Sequence, residues 1–337
     1  MNTALLTIII FGILILVHEL GHFILAKATG IRVEEFSIGM GPKLIGFKRG
    51  ETDYSLRLLP IGGYNKMAGM EPGQENDSKG FNSKTVFERM MVIGAGSIMN
   101  FLLAVVLFVL VFSFFGVPTN TNIIGDVVAG MPADQAGLMP GDQIIAINDE
   151  QVNDWMELTA KIHPKPQQEL QLTINRNEQL FNVTIITAQD PETGFGLIGV
   201  RNTLQTYSAV EGLKLGILRS IEILVLIIIS LVHIVTGQAP ADVAGPVGIV
   251  QMIGQVSEHG MANVFNFAAL LSINLGLINL LPIPALDGSR LVFLSIEWIR
   301  GKPLDPRKEN FVHFIGFAVL IFLMLIITYQ DILRIFY

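Results

Sequence analysis

The sequence predicts a polytopic α-helical membrane protein with four transmembrane helices, a cytoplasmic membrane-associated β-hairpin and an inserted β-rich domain. Three observations predict it. Windows without a charged residue cover 92–117, 261–286 and 314–330, and a further apolar run covers 3–17; a helix needs about 20 such residues to cross the hydrocarbon core. The composition is 51% apolar and only 15% charged, against about 25% charged in soluble chains, which excludes a wholly soluble enzyme. Between the second and third windows the pattern changes to the period-2 alternation of half-buried strands.

The elements follow in chain order. Residues 1–29 hold the first span, whose apolar run meets His18, Glu19 and His22 before Phe23. Ionisable groups at that depth are costly and mark a functional site. A signal peptide fits worse, because no Lys or Arg precedes the run and no small-residue cleavage site follows it. Residues 30–91 form a loop in which 43–47 and 54–59 flank Lys48-Arg49-Gly50-Glu51 as a hairpin. The Pro60-Ile61-Gly62-Gly63-Tyr64 that follows has glycines tolerant of unusual dihedrals. It reads either as the end of a surface hairpin or as backbone that bends back to the membrane and lines a wet cavity.

The second span is 92–117. Residues 118–205 carry strand patterns at 122–128, 143–148, 170–175 and 181–187, with a short helix at 155–162. In the window 213–237 only 223–232 is free of charge, so it reads as an amphipathic helix at the interface or as a fifth span. The third span is 261–288, a loop covers 289–310, and the fourth span is 311–330. Residues 27–91 carry ten basic and eight acidic residues, 118–212 four and twelve, and 289–310 five and three. The positive-inside rule therefore puts the first and last loops in the cytoplasm and the acidic domain outside. A fifth span at 213–237 would put 289–310 on the wrong side, so 206–260 is assigned a peripheral position.

The chain has no cysteine and six histidines, which excludes disulfides, iron–sulfur clusters and thiolate zinc sites. A net charge of −7 gives no sign of a nucleic-acid surface. His18-Glu19-Leu20-Gly21-His22 is an H-E-x-x-H, whose two His stand one helical turn apart on one face. One metal can bind both, and Glu19 beside them can take a proton from a water activated there. A catalytic zinc takes three protein ligands. Apart from Asp331, the only acid in or at the end of the other three spans is Asp287, at the cytoplasmic end of the third, and its depth matches that of His18 and His22 only with four spans. Pro282 and Pro284 break the helix before it. Asn279, upstream of the break, reads either as a hydrogen-bond donor to substrate or oxyanion or as an interhelical bond. His163, His233, His259 and His313 have no metal-like spacing to an acid, and Asn100 reads as a residue joining helices.

Together these residues resemble the site-2 protease family, and within it the bacterial regulator of sigma-E protease group. The resemblance covers essentially the whole chain. It rests on the His18 to His22 motif, Pro60-Ile61-Gly62-Gly63-Tyr64, Ala95-Gly96-Ser97-Ile98-Met99-Asn100-Phe101 and the Asn279 to Gly288 segment. It rests also on Ala136 to Ile145, which resembles the turn-and-strand signature of PDZ domains, with a generic β-sandwich as the alternative. The resemblance implies one zinc per chain on His18, His22 and Asp287, Glu19 as general base, and Asn279 assisting substrate binding. It further implies that the first-loop hairpin with Gly62, Gly63 and Tyr64 pairs with substrate as an edge strand. The implied substrates are single-pass membrane proteins, such as an anti-sigma factor already cut by a first protease or a remnant signal peptide. The implied location is the lipid bilayer of the bacterial inner membrane, with the PDZ-like domain extracytoplasmic. The chain departs from the group in having room for one PDZ domain, in Ser97 where Pro is common, and in Ser289-Arg290 where Gly-His is frequent. A non-catalytic PDZ scaffold with a structural metal is the rival reading, and a small-solute transporter, suggested only by the broken helix, a third.

Overall fold

The computed structural model describes residues 2–70, 77–240 and 244–336; parts of the first loop and of the segment after the inserted domain lie outside the described residues. Helices along the chain are α1 (Thr3–Ala28), α2 (Val86–Leu110), α3 (Pro132–Gln135), α4 (Trp155–Ile162), α5 (Ala209–Val235), α6 (Pro246–Glu258), α7 (Met261–Leu280), α8 (Asp287–Arg300) and α9 (Pro306–Phe336). Two strands, β1 (Val33–Arg49) and β2 (Thr52–Met67), lie between α1 and α2. The chain divides into two compact units, residues 1–110 with 210–337, and residues 111–209.

In the first unit, α1 begins where the Asn2 side chain accepts the Ala4 N–H, satisfying one of the orphan donors of a helix start. Its buried residues Leu6, Ile10, Leu14, His18 and His22 recur every four positions, which places them on one face. The metal-like pair thus continues an apolar stripe. The upper part of that stripe packs with Ile253 of α6 and with Val264 and Ala268 of α7. At the level of the histidines α1 and α2 meet almost backbone to backbone. A Cβ on Gly21 would stand 2.4 Å from the Ala95 carbonyl oxygen, so only glycine allows the approach.

Five helices of the described residues are long and apolar enough to cross a membrane, one more than the sequence reading counted. The addition is α5, in the segment read as peripheral. Charge interrupts its apolar window but not the helix, which runs for 27 residues, with Arg219 and Glu222 one turn apart and paired at 2.7 Å.

The loop hairpin is larger than its alternation suggested. Glu35 to Ile38 pair on one side with Asp53 to Leu56 and on the other with Gly63 to Lys66, while Lys43 to Arg49 pair with Thr52 to Arg57. The strands therefore fold into a four-segment sheet ordered 63–67, 33–38, 52–57, 43–49. Positive φ at Gly39, Gly41 and Gly62 lets β1 and β2 bend and continue. Burial disfavours charge on Glu35, yet hydrogen bonds from Arg57 and Ser55 hold its carboxyl below the usual range, tying two segments together. Leu44, Ile45, Phe47, Leu56 and Leu58 are exposed on the outer hairpin, an apolar row that suits lipid better than water.

The second unit carries a four-stranded antiparallel sheet, ordered Glu150–Gln151, Gln143–Ile147, Glu169–Arg176, Gln179–Ile186. Leu170, Leu172 and Ile174 alternate inward and are 1% exposed or less, each contributing about 1.5–3 kcal/mol of burial. Asn177 and Glu178, both at positive φ, close the hairpin with the dihedrals its twist requires. Arg176 grips the buried Asp142 through both carboxylate oxygens. Burial pushes that carboxyl up, but Arg176 and the Met139 N–H outweigh it and hold it below the carboxylate range.

Candidate metal centre

His18 and His22 of α1 meet Asp287 at the start of α8. The His18 and His22 Nε2 atoms lie 3.1 Å apart, and each is 3.2 Å from Asp287 Oδ2. A tetrahedral ion with ligand bonds near 2.0 Å has ligand–ligand edges of about 3.3 Å, so the triangle has the size of one face of such a site. Two further features fit a cation there. Asp287 Oδ2 is buried without a hydrogen-bond donor, which is costly unless a positive charge faces it. The set of two imidazole nitrogens and one carboxylate oxygen is one that zinc takes.

The second ring nitrogens orient the first. His22 Nδ1 lies 2.8 Å from the Val92 carbonyl oxygen, an acceptor that fixes the hydrogen on Nδ1 and leaves Nε2 a lone pair. His18 Nδ1 lies 3.3 Å from the Asn100 amide. If Nε2 binds metal, Nδ1 carries hydrogen and needs an acceptor; turning the Asn100 amide end for end supplies its Oδ1, which is otherwise buried and unpartnered. Asn100 thus does more than join helices, although its carbonyl does accept from Ser272 of α7 at 2.7 Å.

Asp287 does not end the third span at 261–288, where the sequence placed it, but is the first residue of a new helix. Pro282 and Pro284 end α7, and the acid at the N-terminus of α8 sits where the helix dipole favours negative charge. His313 of α9 holds the intervening turn: its Nδ1 accepts the N–H of Ala285 at 3.1 Å, a non-glycine residue at φ +79°. A Cβ on Gly288 would fall 2.2 Å from the Leu281 carbonyl oxygen, so the turn closes only over glycine.

Glu19 faces the sheet. Asn65 donates from Nδ2 to the Glu19 carbonyl at 2.7 Å and to its Oε2 at 2.9 Å, and a Cβ on Gly63 would stand 2.4 Å from Glu19 Cγ. Gly63 and Asn65 are two apart on one strand and share its face. Of the other expected residues, Asn279 reaches His18 Nδ1 at 3.5 Å. Gly62 bends β2 at φ +77°, and Tyr64 pairs with Ser37 and is half exposed; neither is brought onto the triangle. Sequence reasoning missed Asn65, the contact of Asn100 with His18, and His313. Period 2 from Gly63 points to Asn65, and the i, i+4 spacing from Gly96 points to Asn100; no local signal marks His313.

The chain is similar to known proteins along its whole length. The chain is 40% identical over 329 residues to a protein of Clostridium acetobutylicum, covering 97% of this chain and 96% of the relative. It is 35% identical over 421 residues to the regulator of sigma-W protease RasP of Bacillus subtilis, covering 99% of each. It is also 36% identical over 419 residues to the zinc metalloprotease RasP of Bacillus licheniformis, covering 100% of each. The last two alignments exceed the 337 residues of this chain, so those relatives carry residues without a counterpart here. A PDZ domain of Listeria monocytogenes is similar over 25% of the chain and 88% of its own, at 20% identity and a TM-score of 0.23. Residues 6–323 match peptidase family M50, and with the RasP relatives matched end to end, this chain belongs to that family and is a zinc metalloprotease.

Proposed function

We propose that the chain is an intramembrane zinc endopeptidase that hydrolyses a peptide bond within or beside the transmembrane helix of single-pass membrane proteins. The observation that carries this reading is the closure of the His18, His22 and Asp287 donors, about 3.2 Å apart, among apolar helices and beside a sheet edge that touches Glu19. One zinc per chain, held by these three residues, supplies Lewis-acid chemistry to the scissile carbonyl and to a water. Glu19 accepts the proton of the attacking water and returns it to the leaving amine. Asn65 keeps the Glu19 carboxylate in place, and the outer edge of residues 63–67 pairs with the unwound substrate backbone. Asn279 serves as donor to the developing oxyanion. Residues 63–67 lie at the edge of their sheet, where an extended peptide adds as a further strand.

The site faces the cytoplasmic side of the bacterial inner membrane, where the basic loops 30–91 and 289–310 lie, and the acidic domain at 118–205 lies outside. That domain acts as a PDZ-like size filter for substrates such as a trimmed anti-sigma factor or a remnant signal peptide. The RasP relative of Bacillus subtilis is named a regulator of sigma-W, which accords with a regulatory substrate of this kind. Enlarging the substrate's outer part should block cleavage, and cleavage indifferent to its size would remove the filter.

The test of the reaction is metal content and cleavage measured together. The intact chain should hold one zinc, lost in both His22→Ala and Asp287→Ala. Glu19→Gln should keep the metal and lose about 10²–10⁴-fold in rate. Metal retained in Asp287→Ala would break the link between α1 and α8, and unchanged cleavage in Glu19→Gln would remove the base.

A further inference from the structure

At the same end of the first unit lies a second cavity, of about 370 Å³, separate from the metal triangle. Its walls are Arg89 of α2, Phe81 and Asn82 before it, Arg290 and Glu297 of α8, and Leu304 ahead of α9. The cavity has more hydrogen-bond donors than acceptors. Arg89 is 7% exposed and spends two nitrogens on Glu297, while its Nε is buried with no partner. Arg290 has no carboxylate partner among the described residues. Its one hydrogen bond among the described residues is to Met70 Sδ at 3.9 Å, too weak an acceptor to satisfy a guanidinium with five donors. Of the two acids that line it among the described residues, Glu297 is taken by Arg89 and Glu309 faces His313 at 3.7 Å. The Arg290 guanidinium, a fork of donors without a carboxylate, matches a phosphate group.

The surroundings select the carrier of that phosphate. Phe81, Phe293, Leu294 and Leu304 make part of the wall apolar, as suits an amphiphile. On α8 the next residues, Trp298 and Ile299, are 74% and 78% exposed, and Arg300 at the end of α8, Lys302 in the loop, and Arg307 and Lys308 at the start of α9 follow. An exposed aromatic beside a basic run marks the headgroup level of a bilayer. The geometry points to a site for the phosphodiester headgroup of an anionic phospholipid, bound by Arg290 beside the Arg89–Glu297 pair.

Arg290 stands three residues after Asp287, one turn along the same helix, so a headgroup held there braces α8 and the metal-ligating carboxylate with it. Arg290 is also where this chain departs from the Gly-His frequent in the site-2 protease group.

The test reads lipid rather than cleavage, so its failure is distinct from failure of the protease reading. The full chain is placed in nanodiscs of phosphatidylcholine containing phosphatidylglycerol, and lipids retained per chain are counted by native mass spectrometry. The intact chain should retain one phosphatidylglycerol and no phosphatidylcholine. Arg290→Gln, which removes the charge, and Leu304→Trp, which fills the cavity, should each lower that retention about tenfold or more. Retention unchanged in either variant, or equal retention of phosphatidylcholine, overturns the site. Millimolar inorganic phosphate distinguishes the source: displacement of the lipid together with thermal stabilisation in lipid-free detergent would make a small phosphate the ligand, and neither effect leaves the headgroup.

Discussion

Substituting Gly96 by Ala tests how tightly α2 encloses the metal ligands. A Cβ at that position would lie 2.5 Å from His22 Nε2, 2.6 Å from His18 Cε1 and 2.8 Å from His18 Nε2. Ordinary contact begins near 3.4 Å, so the rings must retreat by up to about 0.9 Å, beyond the roughly 0.5 Å within which such a site works. Rotating them away is costly. His22 is pinned to Val92 and His18 to Asn100, four residues either side of Gly96 on the same helix. Sliding α2 back would carry those anchors with it. A misplacement near 1 Å costs on the order of 10²-fold in rate, and overpacking costs about 1–3 kcal/mol in stability. Gly94 is the control, because a Cβ there meets nothing within 4 Å and should be neutral or stabilise by up to about 1 kcal/mol. Cleavage of a membrane-embedded substrate and zinc content are measured for both purified variants. Gly96→Ala should lose about 10²-fold in cleavage and bind zinc more weakly, with Gly94→Ala unchanged. Full activity and full metal in Gly96→Ala, or an equal loss in both, would refute the reasoning.

Asn65→Val removes both hydrogen bonds to Glu19 and should lower kcat about tenfold with KM nearly unchanged, while Asn65→Gln restores part of it; a loss confined to KM would make Asn65 a substrate contact instead. His313→Ala leaves the Ala285 N–H without its acceptor and should weaken zinc binding about tenfold, read by competition with a chelator; unaltered affinity would show the turn holds itself. In the 111–209 unit Asp142 is held below the carboxylate range, so its contribution is complete above the unfolded value near 3.9 and is lost as pH falls through the lower folded value. Hydrogen exchange of Gln143–Ile147 in the full chain should therefore keep its protection at pH 5 and lose it below about pH 4, and Asp142→Asn should lose about 2 kcal/mol of it at pH 7. Equal protection in Asp142→Asn would show that the Arg176 pair adds nothing.

What the sequence made legible was periodic. The His pair lies on the same four-residue stripe as Leu6, Ile10 and Leu14, and Leu170, Leu172 and Ile174 alternate inward, so local pattern and tertiary burial agree. Asp287 could be found because two prolines isolate one acid after a long uncharged window, yet the same prolines start a new helix that the window concealed. The sheet was underestimated because Gly39, Gly41 and Gly62 interrupt the alternation at the bends where the strands continue. His313 was not legible, since its bond joins residues far apart in sequence and leaves no spacing behind.

The metal triangle also constrains how the chain crosses the membrane. His18 and His22 lie in the C-terminal half of α1, and Asp287 follows the end of α7 after a six-residue turn, so if both helices cross, their late ends meet there and they run in the same direction. The chain between them crosses an odd number of times. With α2 as one crossing, the segment 209–260 must cross twice or not at all. The late residues of α5, Ile228, Val232 and Val235, line an apolar cavity with Leu277 and Leu281, at the level of the triangle. Gly245 and Gly248 instead donate to Asp331, on α9 but 18 residues past the His313 that holds Ala285, roughly 27 Å at 1.5 Å per residue. The late end of α5 and the start of α6 therefore lie at different levels of the unit. The chain has no cysteine, so single cysteines report sidedness without background. An impermeant maleimide should label Lys48→Cys and Lys302→Cys from one face and Glu258→Cys from the other. Labelling of Glu258→Cys and Lys302→Cys from the same face would mean that α7 does not cross, and the triangle would have to be built at a membrane surface rather than inside it.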